Sequence, residues 1–206
     1  SLTTRSFVAT NVYVGDSHLR DTHNGINIAV DKNGYIHAAY GCHGGTLYYR
    51  KSNAANDSDL SSGFTAEQAI FAGNCTYPNI ICDPNNANNL IIFFRGGNGS
   101  NNTASYIKST NGGASWSSPV KYIDHSATTN SWVYQGVVQG TDGSIHIIWT
   151  PFNGTLGNGY ETKFVYYAKT TDFGATFKKA NGTAYSLPIT TATAEQVVAA
   201  GSLNVF

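Results

Sequence analysis

The feature that most constrains the fold is a run of short strands separated by tight turns. Residues 26–30, 35–40 and 47–50 are short segments rich in Ile, Val, Tyr and Ala, and the first alternates apolar and polar side chains. The turns between them are rich in Asn and Gly, which accept the positive φ angles of tight hairpins. The pattern therefore predicts an antiparallel meander of strands.

The same order of strands and turns returns twice further along the chain. The third strand of each copy ends in a Lys-Ser or Lys-Thr pair that begins at Lys51, Lys108 or Lys169, with spacings of 57 and 61 residues. A repeat of this length with four strands in each copy is typical of β-propeller blades. We therefore expect an all-β fold, a β-propeller of four-stranded antiparallel blades.

The blades are expected at residues 23–73, 77–124 and 131–190, and residues 191–206 are expected to open a further blade. All of them would belong to one domain, or part of one, over residues 1–206. Three blades and partial ones do not fill a ring of the usual size. Further blades, of the same chain or of another chain, are therefore predicted to complete the ring.

Two stretches at equivalent positions, residues 109–116 and 170–177, fit the Asp-box pattern Ser/Thr-x-Asp-x-Gly-x-Thr-Trp/Phe. In the first, Asn111 replaces the aspartate and keeps an oxygen that can cap the turn. These boxes resemble those of sialidase-like propellers, where they are structural and distant from the active site. We interpret them as folding devices.

Composition excludes several functions and leaves the state of the cysteines open. Charged residues make up 12% of the 206 residues and the formal net charge is zero, which argues against a nucleic-acid partner. No apolar run approaches the roughly 18–20 residues of a membrane-spanning helix, so no membrane insertion is expected. Cys42, Cys75 and Cys82 allow one disulfide, and a Cys75–Cys82 bond and free buried thiols are equally weighted alternatives.

The histidines divide into candidate functional and candidate packing residues. His23 and His43 lie beside glycines at predicted strand ends, where loops commonly carry chemistry. His37 and His146 occupy equivalent strand positions and are expected to be packing residues, whereas His125 is expected in a solvated loop. No cofactor is predicted, but a structural metal ion, zinc or calcium, stays open because Cys42, His43 and His23 carry ligands that suit zinc.

Several of these segments together resemble one family. The resemblance is to the BNR-repeat group that includes the ulvan lyases and related uronate polysaccharide lyases, and it covers roughly residues 20–200. Members of that group are typically larger, seven-bladed propellers, so the chain matches part of one. The matching segments are 23–24, 26–37, His43, 47–50, 76–78, 93–97, 147–150, 166–169 and 187–190.

The resemblance implies cleavage of an acidic polysaccharide by β-elimination. A base removes the C5 proton of a uronic acid, a positive charge neutralises its carboxylate, and an acid protonates the leaving glycosidic oxygen. Arginine suits the carboxylate because its planar fork is permanently charged, and His and Tyr suit proton transfer. The family's catalytic positions correspond here to His23, His43, Tyr77 and Arg95, and its substrate-binding positions to Asn24, Arg95 and Trp149.

One departure from the family pattern keeps a second function in view. Trp149-Thr150 is followed by Pro151-Phe152, where the family often has an aromatic residue and an arginine. The expected function is therefore an ulvan-like polysaccharide lyase that is secreted, or alternatively a non-catalytic glycan-binding or structural propeller of a secreted protein, surface protein or fibre. A sialidase-type hydrolase is disfavoured, because that reaction normally uses three clustered arginines.

Overall fold

The structure is a computed structural model that describes residues 25–97, 100–127, 131–153, 161–162, 164–198 and 203–204. These residues form strands and turns, and none of them is helical. Accordingly, the described part of the chain has no long apolar helix that could span a membrane. The predicted all-β class is confirmed.

The first seven strands follow one another as an antiparallel meander, and β12 adds to the far edge of their sheet. Their bounds are β1 (Asn27–Val30), β2 (Ile36–Tyr40), β3 (His43–Lys51), β4 (Gln68–Cys82), β5 (Leu90–Gly96), β6 (Thr103–Ser109), β7 (Val120–Asp124) and β12 (Ile189–Thr190).

A second sheet has β9 near its centre. Its strands are β8 (Ser131–Gln139), β9 (Ile145–Asn153), β10 (Glu161–Thr162), β11 (Val165–Thr170), β13 (Glu195–Val198) and β14 (Leu203–Asn204). In this sheet β8, β9, β11 and β13 lie side by side in antiparallel pairs.

Two strand assignments near the end of the chain differ from the sequence prediction. Residues 191–206 were expected to open a further blade, but Glu195 pairs with Tyr167, so that β13 is the neighbour of β11 in the second sheet. Residues 187–190 were assigned to the third blade, but Ile189 pairs in parallel with Ile123 of β7. Both segments are short, and their sequence pattern carries no information on which distant strand they pair with.

The strand β5 is the centre of the hydrophobic core. Its continuous apolar run, residues 90–94, is buried on both faces, as expected for a strand covered on both sides. Ile91 and Phe93 belong to a core cluster shared with the second sheet, while Leu90, Ile92 and Phe94 belong to a cluster within the first. Because side chains alternate along a strand, Arg95 points to the same face as Phe93.

The two predicted box turns have the same internal hydrogen bonds. In one, the amide of Ser115 donates to Asn111 Oδ1 (2.9 Å) and the amide of Gly113 donates to Ser109 Oγ (2.9 Å). In the other, the amide of Thr176 donates to Asp172 Oδ1 (2.8 Å), and the amide of Gly174 donates to Thr170 Oγ1 (2.8 Å). The aromatic residues that follow, Trp116 and Phe177, pack against Tyr49 and inside the core.

Candidate functional site

Two of the predicted site residues lie in one row across the first sheet. His43 opposes Thr76, and Thr76 opposes Arg95. Neighbouring strands are about 5 Å apart, which puts the backbones of His43 and Arg95 about 10 Å apart. His43 was expected just outside the strands, but it is the first residue of β3 and is partly buried.

The predicted catalytic residue Tyr77 lies at a bend within β4. Its φ is 56°, which is unusual for a residue with a side chain. The register with β5 shifts between Thr76 and Asn79, and the Asn79 side-chain amide donates to the Tyr77 carbonyl (2.9 Å). The bend brings the Tyr77 ring against Arg95, with 4.9 Å from the guanidinium carbon to the ring centre.

Arg95 is enclosed by aromatic rings and is only 3% exposed. Its guanidinium carbon lies 4.9 Å from the centre of the Tyr134 ring and 5.8 Å from that of Trp132. Its Nε and Nη1 atoms are buried and have no hydrogen-bond partner among the described residues. A buried cation without an acidic partner is costly, which makes Arg95 a candidate for binding an anion.

A cavity of about 300 Å³ lies next to this cluster. It is open to solvent and is formed by three strand segments, from the start of β1, the bend of β4 and the middle of β8. Its lining residues are Gly25, Ile26, Asn27, Tyr77, Pro78, Asn79, Tyr134 and Gln135. A cleft with aromatic walls and a few polar groups is typical of a ligand site.

Phe152, which occupies the position of the family's expected arginine, supports this aromatic wall. Its ring centre is 5.3 Å from that of Tyr134, edge to face, and 6.1 Å from that of Trp132. The chain therefore has an additional aromatic contact behind the two rings that face Arg95, in place of a second cation.

Trp149, a predicted substrate-binding residue, is a core residue that is 1% exposed. Its indole N–H donates to Nε2 of His125 (3.0 Å), and Nδ1 of His125 bonds to Thr191 (2.9 Å). The structure thus places Trp149 in the core, and its predicted role in substrate binding stays a prediction. It also corrects His125, which is fully buried and not in a solvated loop, and burial lowers the pKa of His125 to about 4.

His37 and His146 are held by hydrogen bonds, which agrees with the packing role predicted for them. His37 Nε2 bonds to Asp31 (3.1 Å), and its Nδ1 bonds to the Tyr49 hydroxyl (2.7 Å). Burial lowers the pKa of His37 more than Asp31 raises it, so the ring is neutral near pH 7. His146 has equivalent bonds to the Tyr167 hydroxyl (2.8 Å) and to Ser144 (2.8 Å).

The three cysteines Cys42, Cys75 and Cys82 are free and buried, so the free-thiol alternative holds and no Cys75–Cys82 disulfide is present. Burial raises the pKa of the Cys75 thiol, and Cys42 is its neighbour. In the described part of the chain, no three His, Cys, Asp or Glu side chains come together as metal ligands. His23 lies outside the described residues, and so does Asn24, so their predicted roles stay predictions.

The site contains residues that the sequence did not single out. Trp132, Tyr134 and Gln135 were interpreted only as part of a strand or left unassigned, yet they lie against Arg95 or line the cavity. Aromatic and amide side chains are common in strands, so the sequence carried no local signal for their role.

Solved structures with a similar fold include polysaccharide lyases and a sialidase. A structure of a PL25 ulvan lyase matches with a TM-score of 0.69 and 21% identity, covering 86% of this chain and 46% of that one. A structure of a PL25 ulvan lyase bound to -[GlcA(1-4)Rha3S]- gives the same values. The polysaccharide lyase Uly1 matches with a TM-score of 0.64 and 20% identity, covering 86% and 47%. The Hadza microbial sialidase Hz136 matches with 0.52 and 10% identity, covering 75% and 36%.

These similarities define an all-β, β-propeller-like fold, and the chain spans about half the length of the ulvan lyases it matches. The sequence profile of the BNR repeat-containing family matches residues 3–204. The chain belongs to that family. No curated protein matches it in sequence.

Proposed function

We propose that the protein is a polysaccharide lyase that cleaves an ulvan-like, uronic-acid-containing polysaccharide by β-elimination. The observation that carries the proposal is Arg95, a buried cation beside an open cavity, with two guanidinium nitrogens that lack partners among the described residues. A uronate carboxylate supplies the charge and the acceptor oxygens that this group lacks.

In the proposed mechanism, Arg95 binds the carboxylate and neutralises its charge, which makes the C5 proton more acidic. A base removes that proton, and its electron pair forms the double bond between C4 and C5 as the C4–O bond breaks. An acid protonates the leaving oxygen. Tyr77 and one of His43 and His23 serve as the base and the acid. Tyr77 is supported by its place in the cavity lining, and His43 by its place in the row of Arg95.

Several parts of the proposal concern the protein around the site. We propose four-stranded blades around residues 23–73 and 77–124 and in the third repeat, in a ring completed by further blades of this chain or another. Exposed apolar side chains on β1 and just before it, Ile26, Ile28 and Val30, support the proposal that another surface packs there. Asn24 would bind substrate, and a structural zinc or calcium ion stays a prediction. A polymeric substrate favours a secreted protein.

The second candidate is a non-catalytic glycan-binding or structural propeller. The observation that favours it is Phe152, which gives the cleft another aromatic contact where a second cation would assist the reaction. Aromatic walls bind sugars without needing to transfer protons.

The test is the ultraviolet absorbance of 4,5-unsaturated uronate ends after incubation with a panel of uronic-acid polysaccharides, ulvan included. The lyase proposal expects a rise with at least one of them, and a large loss of rate in Tyr77→Phe, which keeps the ring and removes the hydroxyl. Binding to a polysaccharide of the panel with no rise in absorbance would favour the second candidate.

A further inference from the structure

The amide side chain of Gln135 is held in one orientation by a buried hydroxyl. Gln135 lies in β8 and lines the cavity. The hydroxyl of Tyr122, on β7, donates a hydrogen bond to Gln135 Oε1. Tyr122 is fully buried, and burial raises its pKa, so the hydroxyl keeps its proton and acts as a donor.

The oxygen of the Gln135 amide is bonded to Tyr122, but the nitrogen of the same amide has no partner among the described residues. Gln135 Nε2 is buried and makes no hydrogen bond within the described part of the chain. A buried donor without an acceptor destabilises the folded protein, so a folded protein rarely keeps one beside a cleft without a use. The side chain is therefore a donor of fixed orientation that can bond to an acceptor of a ligand.

The residues around Gln135 indicate which kind of ligand atom would accept a hydrogen bond from its amide nitrogen. Its sequence neighbour Tyr134 packs on Arg95. Tyr134, Gln135 and Tyr77 line the same cavity. No aspartate or glutamate is among the residues that line this cavity. An anionic oxygen is the acceptor that would satisfy both the amide and the guanidinium.

We propose that Gln135 is a substrate-binding residue that donates a hydrogen bond to the uronate carboxylate held by Arg95. This assignment rests on the proposed function for its ligand. A neutral donor next to the arginine would fix the rotation of the carboxylate and share its charge, and Tyr122 is the positioning residue that keeps the amide nitrogen facing the ligand.

The test measures binding of two probes by calorimetry: an oligosaccharide of glucuronate and rhamnose 3-sulfate, and the same oligosaccharide with its carboxyl groups reduced to alcohols. In Gln135→Ala we expect affinity for the acidic probe to fall about tenfold, because one hydrogen bond to a charged group is lost. Affinity for the reduced probe should stay within about twofold, since a hydroxyl accepts only weakly. In Gln135→Glu the affinity for the acidic probe should fall further than in Gln135→Ala, because like charges repel.

Gln139 provides the matched control. It lies on the same strand, but its side-chain amide is already bonded to the Cys82 carbonyl (3.1 Å), and it does not line the cavity. Gln139→Ala should leave the preference for the acidic probe unchanged. Tyr122→Phe should reduce the preference for the acidic probe although Gln135 is still present. If Tyr122 and Gln135 had only a structural role, this preference would not change.

Equal weakening of both probes in Gln135→Ala would overturn the proposal, and so would unchanged binding. The lyase function is tested separately by product formation in the unaltered protein. If the acidic probe binds with a Gln135-dependent preference but no unsaturated product forms, the role of Gln135 stands and the lyase function fails.

Discussion

Polar groups at the two ends of the strands differ in whether they have hydrogen-bond partners. At the turn end, His37 is joined to Asp31 and Tyr49, and His146 is joined to Ser144 and Tyr167. At the cleft end, Arg95 and Gln135 keep buried nitrogens that have no partner among the described residues.

We propose that this contrast separates His37 and His146, which stabilise the fold, from Arg95 and Gln135, which are kept for a ligand. A satisfied buried network contributes to a unique packing, whereas an unsatisfied donor weakens the fold until a ligand provides its acceptor. Substitutions at the turn end should therefore change stability, and substitutions at the cleft end should change binding and catalysis.

The largest expected effect is that of Arg95→Ala on catalysis. Loss of the charge that neutralises the carboxylate should lower the rate of product formation by about 10²–10³-fold, the range seen when a stabilising donor is removed. Stability should change by less than about 1 kcal/mol, because lost ring contacts are offset by removal of unpaired donors. Rates of absorbance increase and urea unfolding measure the two effects.

Arg50 is the matched control for Arg95, since it is the other arginine of the described residues. It lies on β3, and its Nε is also buried without a partner among the described residues. The Arg95 guanidinium, by contrast, packs on Tyr77 and Tyr134, which line the cavity. Arg50→Ala should leave the rate within about threefold of that of the unaltered protein. An equal loss of the rate of product formation in Arg50→Ala and Arg95→Ala would contradict a special role of the cleft residue Arg95.

The next effect is on stability, at the turn end. His37→Ala removes the partner of both Asp31 and Tyr49 inside the core and should lower the free energy of unfolding by about 2–4 kcal/mol. His146→Ala should cost about 1 kcal/mol, because His146 is only partly buried. Urea unfolding measures both costs, and the folded variants should retain the rate of product formation. A rate that falls with His37→Ala while the fold is intact would place a functional group at the turn end.

Stability should also depend on pH through His125. Its pKa is about 4 in the folded protein and 6.5 in the ordinary case, so the unfolded chain takes up a proton first as pH falls. The neutral His125 contributes fully to the free energy of unfolding above about pH 6.5. This contribution is lost progressively as pH falls to about 4, and the loss is about 3 kcal/mol at most. Burial lowers the pKa of His37 too, which adds in the same direction. Denaturant unfolding between pH 7 and 4 measures the loss, and His125→Gln should flatten the curve. An unchanged curve in that variant would exclude His125 as the source.

A smaller effect than that of His37→Ala is expected at the box turns. Asp172→Ala removes the acceptor of four donors and should cost about 1–2 kcal/mol, whereas Asn111→Ala should cost less, since an amide oxygen accepts more weakly than a carboxylate. Thermal unfolding of the two variants compares them. Loss of product formation in either variant, with the fold retained, would contradict a purely structural role.

Much of the fold could be predicted from the sequence because the pattern is local. Residues adjacent in sequence determine the structure of the apolar run of β5 and of the turns at Asn33-Gly34 and Asp142-Gly143. The pairing of β12 and β13 could not be predicted, because two-residue and four-residue strands have no signal for distant partners.

The candidate site was predicted in part, through its resemblance to a family. Arg95, Tyr77 and His43 were identified in this way, and Arg95 and Tyr77 are in contact while His43 shares the row of Arg95. The role of Gln135 depends on which way its amide faces, and that is fixed by Tyr122 from another strand. The burial of His125 depends likewise on Trp149 and Thr191, which are distant in sequence.

The most direct measurement is the release of unsaturated uronate ends from ulvan by the unaltered protein and by Arg95→Ala, with the fold of both verified by circular dichroism. The account predicts a rise in ultraviolet absorbance with the unaltered protein that is almost absent with the variant. A rise of equal rate with both proteins would contradict the assignment of Arg95, and no rise with either would contradict the lyase function itself.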